Sequence, residues 1–255
     1  MVEVRSLHDI RKFQKLTDIQ KSAWGFDDLH AEPHYLMSRV QKYGGLVQGL
    51  FRDGEMLGFT YAIIGKWKGE YILYSHMAAV KKQHQSRGYG FILKKAQRKA
   101  LLRMGYETVL WNFDPLESMN SYFNIHRLGA VSEEFDPNIY GVGDSGLHAG
   151  LTTDRLIATW RLKSKRVVNR LREKHPPLVE AVPEAAIDSL GRPTAYIETP
   201  VDIRAIKARG MEEAVAWRER HRRLFIPAFE KGYIVEEFVF SEGRKRAFFK
   251  LIKRR

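Results

Sequence analysis

At 255 residues the chain has room for one large domain, or for one of about 150 residues with a smaller partner. It contains no cysteine, which removes disulfide scaffolds, thiolate zinc sites and cysteine nucleophiles, and no apolar run reaches the ~18 residues of a membrane helix. The net charge of +13 is uneven, +3 over residues 1–160 and +10 over 161–255; this suits a polyanionic partner, although a solvated basic helix surface is the plainer explanation.

The opening VEVRSL alternates apolar and polar residues as a strand does. Asp9 is placed to cap a helix over Ile10–Trp24, with Ile10, Phe13, Leu16 and Ile19 on one face. Pro33 opens a second, short helix through Met37 and Val40. Three strands follow: GLVQGLF, MLGFTYAIIG after an Asp53-Gly54 turn, and YILYSHMAAV. Then comes a helix with Leu93, Ala96, Ala100 and Met104 at helical spacing, ended by Gly105. ETVLWNF reads as a strand, Leu116–Leu128 as a helix closed by Gly129, and AVSEEF and RLIATWRL as strands joined by a Gly-rich loop. Beyond Arg161 the pattern restarts. It runs through a basic helix, SKRVVNRLREKH, a Pro-marked linker and the strand PTAYIETP. A long helical run over 203–231 and the strands YIVEEFVF and RAFFKLIK complete it, a helix–Gly–strand–strand order that echoes 117–162.

The stretch QSRGYG, Gln85–Gly90, sits where a strand delivers the chain into the Leu93–Met104 helix. Backbone N–H groups at a helix start lack partners and carry partial positive charge, and glycines let an oxyanion come close. Arg87, Lys81 and Lys82 add to the local potential. A dinucleotide site would need a third glycine, which QSRGYGFIL lacks.

This order of elements, with MAAV on the preceding strand and Leu128-Gly129 downstream, resembles the GNAT-type N-acyltransferase superfamily over residues 1–162. The resemblance implies an α+β fold, with a mixed, mostly antiparallel sheet flanked by helices, and leaves 163–255 as a basic C-terminal α/β extension, a partial unit of the same kind. YSHM, WNFDPLESMNSYFN and the basic tail are similar to a subgroup of predicted acetyltransferases. What it implies for the site is an acetyl-CoA or other acyl-CoA co-substrate and no metal. Its pyrophosphate would lie on the amides of Arg87, Gly88, Tyr89 and Gly90, with Gln85 and Ser86 of the same motif also cofactor-binding, and its pantetheine arm against Met77, Ala78 and Val80, in sheet-edge recognition. Asn120 and Asn124 are placed to bind pantetheine amides, and Asp114 either binds the substrate amine or caps a helix.

Amine acylation needs a base for the ammonium proton and benefits from an acid for the departing thiolate. His76 is the base candidate, with a packed strand histidine as the alternative. The family's tyrosine acid falls on Ile125 here; Tyr122, one turn earlier, is the substitute, or else a core residue. Without cysteine, direct transfer of an acetyl or succinyl-like group to a small primary amine, an amino acid being the first guess, is the economical route. The alternatives are a non-catalytic acyl-CoA sensor and, less favoured, a nucleic-acid-associated acyltransferase using the tail. The basic run WRERHRRLF is expected to pack against the first domain, and a cytoplasmic location follows from the lack of an apolar leader or span. GDSG with His148 resembles a protease turn without the surrounding order, and His30 and His34, split by Pro33, lack a third metal ligand.

Overall fold

A computed structural model describes residues 1–141 and 150–254, in two compact units: Met1–Trp111, and the chain from Asn112 onward. The GDSG turn and His148 lie outside the described residues. The boundary expected at 162 falls inside the second unit.

The first unit opens with β1 (Val2–Ser6) and α1 (Ile10–Trp24). The Asp9 carboxylate accepts the Arg11 N–H at 3.0 Å, as an N-cap should, and Gly25 closes the helix in the left-handed region at φ 73°. Then come α2 (His34–Lys42), β2 (Leu46–Arg52), β3 (Glu55–Trp67), β4 (Glu70–Val80), α3 (Tyr89–Arg103) and β5 (Thr108–Phe113), which carries the chain into the second unit. The strand order is β1-β2-β3-β4-β5, antiparallel except for the parallel β4–β5 pair. Phe13, Leu16 and Ile19 of α1 pack with Val47, Phe51 and Phe59, whereas Leu93 of α3 packs with Leu50 and Leu57. Both faces of the sheet are therefore covered, which is why β2 is buried almost throughout instead of on alternate residues. Ile10, expected on the buried face of α1, is 48% exposed.

The second unit departs from the sequence reading in its first helix. In place of one α-helix over 116–128 there is a single turn, α4 (Ser118–Ser121), followed by a π-helical turn, Tyr122–Arg127. Leu128 N–H reaches back five residues, to Phe123 O at 2.9 Å. Then follow β6 (Val131–Asp136), β7 (Arg155–Arg161), α5 (Lys165–Leu171), β8 (Thr194–Thr199), α6 (Ile203–Arg209), α7 (Met211–Glu230), β9 (Tyr233–Phe240) and β10 (Ala247–Lys253). The expected single helix over 203–231 is two, because Gly210 is extended at φ 165°. A strand–helix–strand–strand order thus occurs twice, as β5-α4-β6-β7 and as β8-α6/α7-β9-β10.

Within this unit the sheet order is β7-β6-β9-β10-β8. The extension's strands join the β6 edge through Ser132↔Val235, so β6 is not left with an open edge. Phe225 of α7 stacks on Phe135 of β6 and meets Phe249 of β10 edge-on, so WRERHRRLF packs on a strand of each hairpin. Among the described residues, no helix is long and apolar enough to cross a membrane, and no three His, Asp or Glu side chains converge as metal ligands.

Candidate functional site

In the first unit, among the described residues, β4 and β5 pair only at Leu73↔Val109 and Tyr74↔Leu110. Past Tyr74, β4 keeps its ladder with β3 through Val80, while β5 gives it no further rung. The fork is filled by polar side chains. Lys94 of α3 donates from Nζ to Ser75 Oγ at 2.8 Å and to Gln97 Oε1 at 3.0 Å, and its ammonium lies 4.1 Å above the Trp111 ring. Ser75 and Trp111 are the residues that the next rung would have joined. All four side chains are buried, and burial pushes the Lys94 ammonium down to about 7.

At the same level β4 carries a bulge. Met77 pairs with Tyr61 and Tyr74 with Ile63, so Ser75 and His76 together face Ala62. The extra residue turns neighbouring side chains to different surroundings. Ser75 meets α3, while the His76 ring sits edge-on to Tyr61, 5.5 Å between centroids, with Nε2 3.5 Å from Glu32 Oε2. Glu32 is held in the α1–α2 connection by Gln20, whose Oε1 accepts the Glu32 N–H at 2.8 Å and whose Nε2 donates to its carbonyl at 3.1 Å. Burial, with Glu32 adding to it, raises the Tyr61 phenol to about 12, so that hydroxyl stays neutral beside the pair. His76 remains about one-third exposed.

Below the fork, MAAV leads through the short 3₁₀ turn Lys82–His84 into Gln85–Gly88. Gln85 Nε2 donates to Val80 O at 3.0 Å, which ties the motif loop to the end of β4. Gly88 is the N-cap of α3 at φ 79° and offers no side chain to its first-turn N–H groups. A Cβ built at Gly88 would have no atom within 4 Å, so the helix start is open to approach. Gln85, Ser86, Arg87 and Gly88 are exposed. Those features fit a phosphate group held by main-chain N–H donors. Two side chains there are otherwise engaged. Lys81 pairs with Glu55 at 2.6 Å, and the Tyr89 ring packs with Leu50, Leu57 and Leu93 while its hydroxyl accepts from Arg52 Nη1 at 3.2 Å. Only the main chain of Tyr89 is left to meet a ligand.

The remaining expected residues belong to the second unit. Asn124 is buried and donates to Asn120 Oδ1 at 3.3 Å. Tyr122 is half-buried and stacks on His126, 5.3 Å between centroids, and His126 stacks in turn on His175. Ile125 is fully buried, so the position of the family's tyrosine is a core position here. Asp114 is committed elsewhere than to an amine. Arg218 grips it in a fork, Nη1 to Oδ1 at 2.9 Å and Nη2 to Oδ2 at 2.7 Å, Arg155 approaches at 3.5 Å, and Leu116 N–H donates to Oδ1 at 2.9 Å. Burial works against its ionisation, but the two guanidinium groups win and hold it below the ordinary carboxylate range. The carboxylate closes the turn ahead of α4 and does not cap that helix, whose N-cap is Glu117 with no side-chain hydrogen bond.

No protein-family model matches the sequence, and no curated protein does. Solved structures do. The ribosomal-protein-S18-alanine N-acetyltransferase of Escherichia coli is 20% identical, with 64% of this chain and 96% of that one covered and a TM-score of 0.50. A GNAT-family acetyltransferase from Desulfovibrio desulfuricans is 14% identical, covering 64% and 99%, at 0.51. The fold is that of the GNAT acetyltransferases. A third GNAT-like match, a Salmonella typhimurium acetyltransferase solved with its cofactor acetyl-CoA, is 17% identical, covering 64% and 95%, at 0.51. At these identities the likeness is one of fold, and the forked β4–β5 pair and the open α3 start are what this chain itself contributes to a functional reading.

Proposed function

We propose that the chain is an acyl-CoA-dependent N-acyltransferase that moves an acetyl or succinyl-like group to a small primary amine. The observation that carries this reading is the fork. Where β5 leaves β4, the main-chain groups of Met77–Val80 face no second strand, and the same segment runs directly into the open N-terminus of α3. A pantetheine arm can add to that edge as a strand would, with its pyrophosphate on the Arg87–Gly90 amides. The bound acyl-CoA supplies an activated thioester.

His76 receives the ammonium proton of the acceptor, and Glu32 orients the imidazole and stabilises it once charged. The freed amine forms the C–N bond and gives up a second N–H proton to solvent, the C–S bond breaks, and the thiolate leaves. A thiol with a pKa of about 8.5 departs readily enough for water to supply its proton, so the reading needs only residues of the first unit. An amino acid remains the first guess for the acceptor.

Nucleic acid binding by the tail is the weaker reading. Among the described residues, ten basic side chains beyond 162 hold carboxylates within the second unit, including Arg218, Arg222, Arg246 and Arg254. Four of the partner carboxylates, Asp114, Glu117, Glu133 and Asp154, lie before residue 161, so part of the +10 surplus is matched within the second unit. Mass spectrometry of an amine panel, incubated with the protein and acetyl-CoA or succinyl-CoA, tests the proposal. Acylated amine with equimolar free CoA is expected. Tight acyl-CoA binding with no product across the panel points instead to the sensor.

A further inference from the structure

The order that occurs twice in the second unit repeats down to its register. Gly129-Ala130-Val131-Ser132-Glu133-Glu134-Phe135 and Gly232-Tyr233-Ile234-Val235-Glu236-Glu237-Phe238 align without a gap. Both glycines follow a helical segment and lie in the left-handed region, at φ 75° and 78°. In each hairpin the partner strand skips the first glutamate. β7 pairs with Ser132 and then Glu134, and β10 with Val235 and then Glu237. Glu133 and Glu236 are therefore the same bulge. Bulges are specific features of a strand pair, so a shared one marks the two hairpins as repeats of one unit.

The repeats meet edge to edge. Ser132 pairs antiparallel with Val235, its own equivalent, so the order β7-β6-β9-β10 reads the same outward from the seam. That is the geometry of an isologous dimer, in which one surface meets its own copy across a two-fold axis. The seam is built as a permanent interface. Ser132 and Val235 are fully buried, Phe225 stacks on Phe135, and Arg254 after β10 holds Glu133 of β6. Arg166 donates to Gly129 O at 3.1 Å and to Glu237 Oε2 at 3.4 Å, and His126 Nδ1 lies 3.1 Å from Glu237 Oε1. The second repeat lacks a counterpart of the candidate site. Ile187 bridges Tyr196 in parallel, as Tyr74 does Leu110, but residues 188–193 then run straight into β8 and leave no room for another α3 and its glycine loop.

We infer that the β6 edge is a surface made to pair with a second copy of itself, that residues 194–253 supply that copy within the chain, and that the protein acts as a monomer. An open strand edge recruits another chain. Here β9 occupies the β6 edge and β8 covers the far side of β10, so the hairpins offer a second molecule no edge at the seam. The inference uses residues of the second unit alone and is independent of the acyl-CoA reading.

Sedimentation equilibrium of the full-length protein from about 5 to about 500 μM tests this, because association between chains depends on concentration and pairing within one does not. The mass of a single chain is expected throughout. Hydrogen exchange should find the β6 and β9 amides equally protected at both ends of the range. Ser132→Cys reads the seam directly, since the chain has no other cysteine. If β6 paired with β6 of a second molecule, the two introduced thiols would face each other on the axis and oxidise to a covalent dimer. With Val235 in that place, the oxidised variant should remain a single chain. A dimer mass, protection lost on dilution, or a covalent Ser132→Cys dimer overturns the proposal.

Discussion

Replacing Lys94 by methionine tests the fork from the inside. The two side chains are similar in length, and Ser75 and Gln97 keep each other, Gln97 Nε2 donating to Ser75 Oγ at 3.2 Å. Burial brings the ammonium from an ordinary 10.5 down to about 7. At ~1.36 kcal/mol per unit, holding this lysine in the folded state at pH 7 costs about 4 kcal/mol relative to a neutral amine. The Trp111 face returns about 2 kcal/mol of that while the group is charged. Loss of the hydrogen bonds to Ser75 and Gln97 removes about 1 kcal/mol more, so Lys94→Met should be more stable at pH 7 by about 1 kcal/mol. The pH dependence is the sharper signal. An unfolded lysine keeps its proton to about pH 10.5, whereas the buried one releases it near 7. The unfolded chain therefore binds more protons throughout that window, and wild-type stability rises with pH across it. Urea unfolding followed by tryptophan fluorescence at pH 7, 8.5 and 10 should show the wild type gaining a few kcal/mol on Lys94→Met. Parallel curves for the two proteins would mean that Lys94 is solvated, and the polar filling of the fork would be wrong.

Two further substitutions follow from the geometry. His76→Gln should lower kcat by roughly 10²–10⁴ and leave acyl-CoA affinity intact, with Glu32→Gln giving a smaller loss; wild-type turnover in His76→Gln, measured by thiol release, would return that histidine to a packing role. Arg218→Ala leaves the buried Asp114 charge with Arg155 alone and should destabilise the second unit by about 3 kcal/mol. Because the Asp114 carboxyl is held low when folded, the stability it contributes is present above the ordinary carboxylate range and fades as pH falls through the folded value. Acid titration of the unfolding midpoint should show that part of the dependence missing in Arg218→Ala.

What was legible in the sequence was local. Asp9 before Ile10 and Gly105 after Met104 each mark a helix end through a cap or a positive φ that the residue type itself announces. The motif loop and its preceding strand were readable for the same reason. Contacts between distant residues were not. Glu32 meets His76 across 44 positions, and nothing in LHAEPHYL marks that carboxylate as the partner of a strand histidine. FILKKAQRKA does not say which lysine is buried, because Lys94 is decided by what α3 packs upon. Asp114 was read as a helix cap or an amine ligand; its fork with Arg218, 104 residues on, was not legible. The π-helical turn at Tyr122–Arg127 also escaped, since five-residue hydrogen bonding leaves the same apolar spacing as an ordinary helix end.

Calorimetric titration of acetyl-CoA into wild type and Gly88→Glu tests whether the loop into α3 holds acyl-CoA. A side chain at Gly88 meets no neighbour, so the fold should survive with about 1–2 kcal/mol of backbone strain from φ 79°. The carboxylate would stand where the pyrophosphate is proposed to lie. Saturable binding is expected from the wild type and none from a folded Gly88→Glu. Equal affinity in the two, with both melting cooperatively, would contradict it and leave QSRGYG a turn.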